Sequence, residues 1–291
     1  MNFGSLNLDY VYGVDHFVQP GETLAAISRD VKHGGKGLNQ SIALVRAGAD
    51  TAHAGCVGQV GESLLAMLRE NGVDTSCLLA VQEMQGHTVI QVNREGENCI
   101  LLYGGSNRCV TEKQIRDTMA RFAPGDWLVL QNEVNLLPMI VEEGARRGLN
   151  IALNPPPYND SLREVDYGKL TWVLVNEIEA EQITGESDPV NAWKVLHVRY
   201  PRLSALITLG GKGSMAFRVT DTGVETVRQA AQRVHAVDTT AAGDTFTGYF
   251  IAGLMENMPL QACMGRASHA AAISVTRPGA ADSIPLHSEV E

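Results

Sequence analysis

The sequence predicts an α/β fold in which helices cover both faces of a mostly parallel central sheet, a three-layer sandwich. Strand-like and helical segments alternate along the chain, which is the pattern of parallel strands joined by crossover helices. The strand-like segments are continuous apolar runs, so we expect the sheet to be buried on both faces. The chain has 291 residues, enough to bury a core without disulfide bonds.

The spacing of apolar residues defines each element in turn. Helical spacing predicts helices over residues 38–48, 61–71, 135–148, from about 177, 192–199, 242–257 and 259–274. Short apolar runs bounded by turn residues predict strands over residues 51–57, 126–131, 150–153, 171–175, 204–209 and 233–237.

Two stretches interrupt this alternation. Residues 86–103 contain two apolar runs around a glycine-containing turn, which predicts an antiparallel hairpin. Residues 8–32 also lack helical spacing and are expected to be extended. Small antiparallel insertions of this kind commonly form a lid or an oligomer surface, and a decorative edge hairpin is the alternative. We therefore expect one domain over residues 1–291 with a small, discontinuous antiparallel lid.

The composition excludes several classes of function. Lys and Arg total 23 and Asp and Glu total 33, so the net charge of −10 disfavours a nucleic-acid-binding surface. No apolar run is long enough to cross a bilayer, and the first residues lack the pattern of a secretion signal. The five cysteines are scattered without metal-ligand spacing, as in reduced cytosolic proteins. We expect a cytoplasmic protein without membrane or nucleic-acid partners.

The strongest functional signal is the segment DTTAAGD at residues 238–244, where the helix predicted over 242–257 begins. Its small residues let the backbone approach a ligand, and free N–H groups at a helix start favour an anion. A carboxylate at Asp244 is a poor phosphate ligand. It suits a general base that takes a proton from an attacking hydroxyl while the N–H groups hold the transferring phosphoryl group. The alternative is that Asp244 only caps the helix.

A second glycine-rich turn, GGKGLN at residues 34–39, also leads into a helix. Lys36 and Asn39 supply hydrogen-bond donors for sugar hydroxyls or phosphate. Neither this segment nor GGKG at residues 210–213 has the spacing of a Walker A loop, and no complete dinucleotide fingerprint follows a strand.

Polar residues also follow the predicted strands. Ligands of open α/β sheets bind beyond the carboxyl ends of the strands, so we expect these residues to converge on one crevice. Each of them alone is explained more simply as a cap or turn residue. They are Asn7, Asp9, Glu133, Asn154, Asn176, Glu179, Thr208 and Gly210.

In these motifs the sequence resembles the ribokinase-like (PfkB) family of carbohydrate kinases. Both family signatures are present, GGKGLN at residues 34–39 and DTTAAGD at residues 238–244. The resemblance extends over almost the whole chain. Further matching segments, in the order of the family, are GSLNLD at 4–9, PGET at 20–23, NPPP at 154–157, NEIE at 176–179 and TLG at 208–210.

The resemblance implies an ATP-dependent kinase that phosphorylates the primary hydroxyl of a small sugar, with ribose as the leading candidate. It implies that Asp244 is the general base and that the backbone N–H groups of Ala242, Gly243 and Asp244 form the anion hole. It also implies a homodimer formed through the lid.

Binding residues follow from the same resemblance. Sugar contacts are implied at Asn7, Asp9, Gly35, Lys36, Asn39 and Glu133. ATP contacts are implied at Asn176, Thr208, Gly210, Gly213 and Ser268, and Glu179 is implied to hold Mg²⁺ through water. An activating K⁺ is implied at Asp238, Thr240, Ser274, Arg277, Gly279 and Ser283, although the residues around Arg277 also fit a plain turn after the last helix.

The sequence departs from the family pattern at two positions. Leu38 stands where a small residue is usual, and it either narrows the sugar site or packs within the helix layer. Ser268 stands where asparagine is common near the adenine. A nucleoside or hexose kinase of the same family and a non-catalytic sugar-binding protein are the alternatives. The aromatic residues available to stack on a nucleoside base are Tyr10, Tyr12, Phe17 and Tyr103.

Overall fold

The computed structural model describes residues 1–291, apart from the side chain of residue 160. Over this range two separate sheets form, with strand orders β13-β12-β11-β10-β9-β8-β1-β4-β5 and β3-β2-β6-β7. The strands are β1 (Asn2–Phe3), β2 (Asn7–Gly13), β3 (Ser28–Gly34), β4 (Ala52–Gln59), β5 (Asp74–Met84), β6 (His87–Val92), β7 (Asn98–Tyr103), β8 (Trp127–Gln131), β9 (Asn150–Asn154), β10 (Trp172–Asn176), β11 (Ser204–Thr208), β12 (Ser214–Thr220) and β13 (Gly223–Gln229).

Helices cover both faces of the larger sheet, as the sequence predicts. The helices are α1 (Lys36–Arg46), α2 (Glu62–Glu70), α3 (Glu112–Met119), α4 (Leu137–Arg147), α5 (Glu177–Thr184), α6 (Pro189–Arg199), α7 (Ala242–Met255) and α8 (Leu260–Ser274). One hydrophobic cluster joins the sheet to α3, α4, α5 and α6, and a second joins its other face to α1, α2, α7 and α8. None of the described helices is long and apolar enough to span a membrane.

The central sheet is parallel from β11 to β5, and only β12 and β13 at one edge are antiparallel. The prediction of a strand over residues 233–237 is wrong, because this segment is an exposed loop. Its one main-chain link is a 2.7 Å hydrogen bond from the Val237 N–H to the Val275 carbonyl. An alternating pattern without a neighbouring strand does not make a ladder.

The second sheet is formed by the two stretches that interrupt the α/β alternation. The β2–β3 and β6–β7 pairs are antiparallel, as predicted, but β2 pairs with β6 in parallel. The smaller sheet is therefore mixed. The larger sheet explains the parallel pair. β1 leads into β2 and β5 leads into β6, and since β1 and β5 both run parallel to β4, the chain enters β2 and β6 in the same direction.

Helices α1 and α7 pack closely, and this contact positions their first turns. A Cβ added to Gly248 of α7 would lie 2.4 Å from the Ala43 Cβ of α1, so only glycine permits this separation. The N-cap of α1 is Gly35, whose φ of 94° also favours glycine. The first turns of both helices consequently meet beyond the carboxyl ends of the parallel strands.

Candidate active site

A cavity of about 950 Å³ lies between the second sheet and the first turns of α1 and α7. This space is the first cavity. The prediction that the polar residues after the strands converge on one crevice is wrong in part, because Thr208 and Gly210 line a separate cavity and Asn154, Asn176 and Glu179 line neither. The predicted base and the predicted sugar-binding residues, however, all line the first cavity. They are Asn7, Asp9, Gly35, Lys36, Asn39, Glu133 and Asp244.

Asp244 is an internal residue of α7 and not its cap. The N-cap is Ala241, in the left-handed region with φ of 60°. The Asp244 side chain is 6% exposed and accepts two amide hydrogen bonds, from Asn39 Nδ2 at 3.0 Å and from Gln40 Nε2 at 2.9 Å. The capping alternative is therefore excluded. Both partners belong to α1, although only Asn39 is identified by the sequence motif.

The first turn of α7 offers backbone N–H groups to an anion. The N–H groups of Gly243 and Asp244 have no acceptor in the described part of the chain. The Ala242 N–H donates to the Thr239 carbonyl at 3.3 Å, which is at the long end of the range for such bonds. Free N–H groups and the helix dipole both favour negative charge at this point.

Lys36 lies among carboxylates. Burial alone would lower the pKa of its ammonium, but the charges of Asp244, Glu133 and Glu179 outweigh burial and raise that pKa. Burial raises the pKa of the Glu133 carboxyl above its usual value. The Ser5 hydroxyl and the Lys36 backbone N–H both donate to Glu133 Oε2, the latter at 3.1 Å. Ser5 lies in the matching segment GSLNLD, but the sequence predicts no role for it.

Asn7 and Asp9 are fixed by residues of the second sheet and of the turn that follows it. Asn107 Nδ2 donates to Asn7 Oδ1 at 2.7 Å, and Thr88 Oγ1 donates to Asp9 Oδ1 at 2.6 Å. Burial raises the pKa of the Asp9 carboxyl. Gly34 leaves room for this carboxyl, because a Cβ there would lie 1.9 Å from Asp9 Oδ2. Asn107 and Thr88 are further residues that the motifs do not identify.

A second cavity, of about 400 Å³, lies on the other side of the α7 N-terminus. Ala241 and Asp244 line the first cavity, whereas Ala242 and Gly243 line the second. One helical turn therefore separates the two spaces. Of the residues that the resemblance links to ATP, those lining the second cavity are Thr208, Gly210, Gly213 and Ser268.

Asn176 and Glu179 line neither cavity. They form a capping box at the start of α5: the Glu179 N–H donates to Asn176 Oδ1 at 2.8 Å, and the Asn176 N–H donates to Glu179 Oε2 at 2.9 Å. Asn176 Nδ2 also donates to Glu179 Oε1 at 2.8 Å. Burial raises the pKa of the Glu179 carboxyl. Each carboxylate oxygen retains a lone pair for a water molecule.

Asp238 ties together the loops before α7 and after α8. Its carboxylate accepts from the N–H of Thr240 at 2.9 Å and from the N–H of Gly279 at 3.0 Å. Burial alone would raise the pKa of Asp238, but these hydrogen bonds lower it overall. The hydroxyls of Ser274 and Ser283 are buried and 2.8 Å apart.

The side chain of Arg277 points away from these loops. It forms an ion pair with Glu289 at 2.6 Å near the end of the chain. Of Arg277, only the backbone carbonyl remains as a candidate ligand in the loop. Among the described residues, no group of three His, Cys, Asp or Glu side chains is arranged to hold a metal ion.

Two questions raised by the sequence concern the shape of the first cavity. Leu38 is fully buried in the cluster that joins α1 to the sheet and does not line the cavity. Its size therefore leaves the cavity unchanged. Among the described residues, no aromatic ring lines the first cavity. The four candidates for stacking on a nucleoside base are therefore not part of its wall: Tyr10, Tyr12, Phe17 and Tyr103.

Comparison with known proteins gives consistent matches over the whole chain. A family model described as "pfkB family carbohydrate kinase" matches residues 1–286. A ribokinase from Haemophilus influenzae is 36% identical over 98% of this chain and 95% of its own. The crystal structure of a ribokinase from Cryptococcus neoformans var. grubii in complex with ADP has a TM-score of 0.85 at 31% identity, covering 99% and 97% of the two chains. That of a ribokinase from Thermotoga maritima has a TM-score of 0.86 at 32% identity, covering 99% and 96%.

Behind the site, His53 of β4 makes folding stability sensitive to pH. It is fully buried with Nδ1 2.7 Å from Ser41 Oγ, and burial lowers its pKa to about 4. The unfolded chain, with a histidine pKa near 6.5, takes up this proton first, so stability is full above about pH 6.5 and is lost as the pH falls towards 4. Urea unfolding should show wild type losing about 2 kcal/mol more than His53→Gln between about pH 7.5 and about pH 5. Equal losses in the two proteins would contradict this assignment.

Proposed function

The chain belongs to the pfkB family of carbohydrate kinases, and we propose that it transfers the γ-phosphoryl group of ATP to the primary hydroxyl of ribose. One observation carries the proposal. Asp244 is a buried carboxylate on the single helical turn that separates a polar cavity from a second, smaller one. Such a turn lets an acceptor hydroxyl on one side meet a phosphoryl group on the other.

The reaction is a direct displacement. Asp244 takes the proton of the sugar hydroxyl, whose oxygen bonds to the γ-phosphorus as the bond to the bridging oxygen breaks, and ADP leaves. The free N–H groups of Gly243 and Asp244 stabilise the charge on the transferring oxygens, and Ala242 completes the hole when its 3.3 Å bond to Thr239 opens.

We assign sugar binding to the first cavity. Its carboxylates can accept hydrogen bonds from sugar hydroxyls, and its amides can both accept and donate them. Asn39 Oδ1 is buried without a partner among the described residues. A ligand hydroxyl would satisfy that oxygen, because Asn39 Nδ2 is already used by Asp244. The assigned residues are Asn7, Asp9, Gly35, Lys36, Asn39 and Glu133.

ATP is assigned to the second cavity, with Thr208, Gly210, Gly213 and Ser268 as contacts. Asn176 serves by orienting Glu179, whose carboxylate oxygens have lone pairs free for water bound to Mg²⁺. When bound, Mg²⁺ neutralises charge on the phosphate oxygens.

A monovalent cation fits the loops around Asp238. The donor set consists of oxygens, and the lowered pKa of the Asp238 carboxyl keeps it charged. Backbone carbonyls and hydroxyls of this kind suit K⁺. The residues that would hold it are Asp238, Thr240, Ser274, Arg277, Gly279 and Ser283.

The second sheet is proposed as a discontinuous lid on a single kinase domain, and also as the dimer surface. Ile100 and Leu102 of β7 line the first cavity, so Leu101 and Tyr103 point to the other face of the sheet. Leu101 is 70% exposed on this edge strand. An exposed apolar edge strand is a surface for pairing with another chain, here a second copy.

We place this protein in the cytoplasm, in agreement with its acidic composition and its five scattered cysteines.

A nucleoside kinase is the weaker candidate. A nucleoside base normally stacks on an aromatic or other flat apolar surface, and the wall of the first cavity holds no aromatic ring among the described residues. A sugar-binding protein without catalysis is disfavoured because Asp244 and the small residues before it are all present.

The catalytic role of Asp244 is tested by ADP release in a coupled assay with ribose, 2-deoxyribose, other pentoses, hexoses and nucleosides. We expect ribose to give the highest turnover and Asp244→Asn to lower it by at least ~10²-fold, the usual scale for a general base. Asp117→Asn, a change at an exposed residue of α3, should leave turnover unchanged. Absence of sugar-dependent turnover in wild type, or equal turnover in Asp244→Asn, would refute the proposal.

The cation site is tested by comparing activity in K⁺, Na⁺ and choline buffers of equal ionic strength. Coupling between two ligand sites is typically worth about 5-fold or more, so we expect at least that ratio in favour of K⁺. Asp238→Asn should abolish the difference, because it removes the only charged ligand assigned to the ion. Identical rates in all three buffers would argue against a functional cation.

Dimer formation through β7 is tested by sedimentation. Wild type should sediment with the mass of two chains, and Leu101→Lys should shift it to one, because the change places like charges at a contact between identical strands. Val198→Lys is the matched control, since Val198 is 81% exposed on α6, away from the second sheet. A wild-type monomer, or a dimer that survives Leu101→Lys, would contradict this surface.

A further inference from the structure

We propose that Gln40, which lines neither cavity, positions the Asp244 carboxylate for proton transfer. The inference deepens the proposed function and rests on Asp244 being the general base. Gln40 is fully buried in the first turns of α1, directly behind Asn39 and Asp244. It is a positioning residue, because it acts through Asp244 rather than through substrate.

The Gln40 amide has only one orientation that satisfies its neighbours. Nε2 donates to Asp244 Oδ1 at 2.9 Å and lies 3.2 Å from Asn154 Oδ1. Oε1 accepts from Gln131 Nε2 at 2.6 Å. A flipped amide would set Oε1 against two acceptor oxygens and its NH₂ group against that of Gln131. In a buried site, each unmade hydrogen bond is costly.

The residues that orient Gln40 are themselves oriented by strands of the central sheet. Asn154 at the end of β9 donates through Nδ2 to the Leu174 carbonyl at 2.8 Å, which leaves its Oδ1 facing Gln40. Gln131 at the end of β8 uses its second N–H on Asn2 Oδ1 at 3.0 Å. The direction of the Gln40 donor is thus determined by Asn154 and Gln131 at the ends of β9 and β8 rather than by the cavity.

Gln40 and Asn39 each donate to a different oxygen of the Asp244 carboxylate. Asn39 holds Oδ2 of Asp244 from the cavity wall, with its own Oδ1 facing no protein partner in the described residues. Gln40 holds Oδ1 from behind. With a donor on each oxygen the plane of the carboxylate is fixed, and its remaining lone pairs are directed at the cavity. Misplacing a reacting group by about 1 Å costs on the order of 10²-fold in rate.

The test compares two isosteric variants in steady-state kinetics with ribose and MgATP. Gln40→Met removes the donor, and we expect kcat to fall by about 10- to 100-fold with both KM values within about 3-fold of wild type. Gln40→Glu keeps the acceptor for Gln131 but places a second carboxyl within hydrogen-bond distance of Asp244. Two carboxyls this close share one proton, so Asp244 is a poorer base and kcat should be lower still. If Gln40 mattered only for packing and for its bond to Gln131, Gln40→Glu would be the more active of the two.

Gln114→Met is the matched control for loss of a buried glutamine. Gln114 of α3 donates to the Gly55 carbonyl at 2.6 Å and lies outside both cavities, so its loss should lower the melting temperature and leave kcat unchanged. Gln40→Asn, which withdraws the amide by one methylene, replaces either variant that does not fold, and it should lower kcat alone.

The outcomes separate this inference from the proposed function. An active wild type and an inactive Asp244→Asn, with Gln40→Met at wild-type kcat or with Gln40→Glu above Gln40→Met, would overturn the role of Gln40 alone. If wild type phosphorylates no sugar, or if Asp244→Asn retains full turnover, the proposed function fails first, and the role of Gln40 fails with it.

Discussion

The contact between α1 and α7 is the constraint on which the site depends. Gly248 brings the two helix axes close enough that a side chain at this position would collide with Ala43. As a result, Asn39 reaches Asp244 across 205 positions of sequence with a 3.0 Å hydrogen bond. Helix packing therefore sets the geometry of the carboxylate, and the contact between Gly248 and Ala43, one turn away from Asp244 and Asn39, matters for activity as much as a residue at the cavity.

The same first turn of α7 organises the electrostatics of the site. Its N–H groups face an anion, while Lys36 lies among carboxylates that raise its pKa and keep it charged. The carboxylates of Glu133 and Asp9 have raised pKa values because they are buried. The free N–H groups of this turn and the Lys36 ammonium are therefore the positive groups that the site places next to the Asp244 carboxylate.

Much of the fold, and the base and sugar-binding candidates that line the first cavity, could be predicted from sequence, because apolar spacing and glycine-rich turns are local signals. The segment 233–237 has strand-like spacing but no neighbouring strand, so local pattern misled there. Gln40 follows a motif residue without any mark of its own; its importance comes from Asp244, 204 positions away. Glu179 and Asn176 fit their motif, yet the motif does not reveal that they hold each other in a capping box.

The second sheet is attached to the rest of the protein at one junction, called its root, where residues 6–8, 86 and 107 meet. Asn107 hydrogen-bonds Leu6 and Asn7, and the Leu8 N–H donates to the Gly86 carbonyl at 3.0 Å, so three passages of the chain are fastened at one point. Any tilt of the second sheet about this point would therefore move its strands together. β2 has 7 residues, which at about 3.3 Å per residue gives an arm of roughly 23 Å. A tilt of about 10° at the root displaces the tip by about 4 Å, a distance comparable to the thickness of a sugar ring.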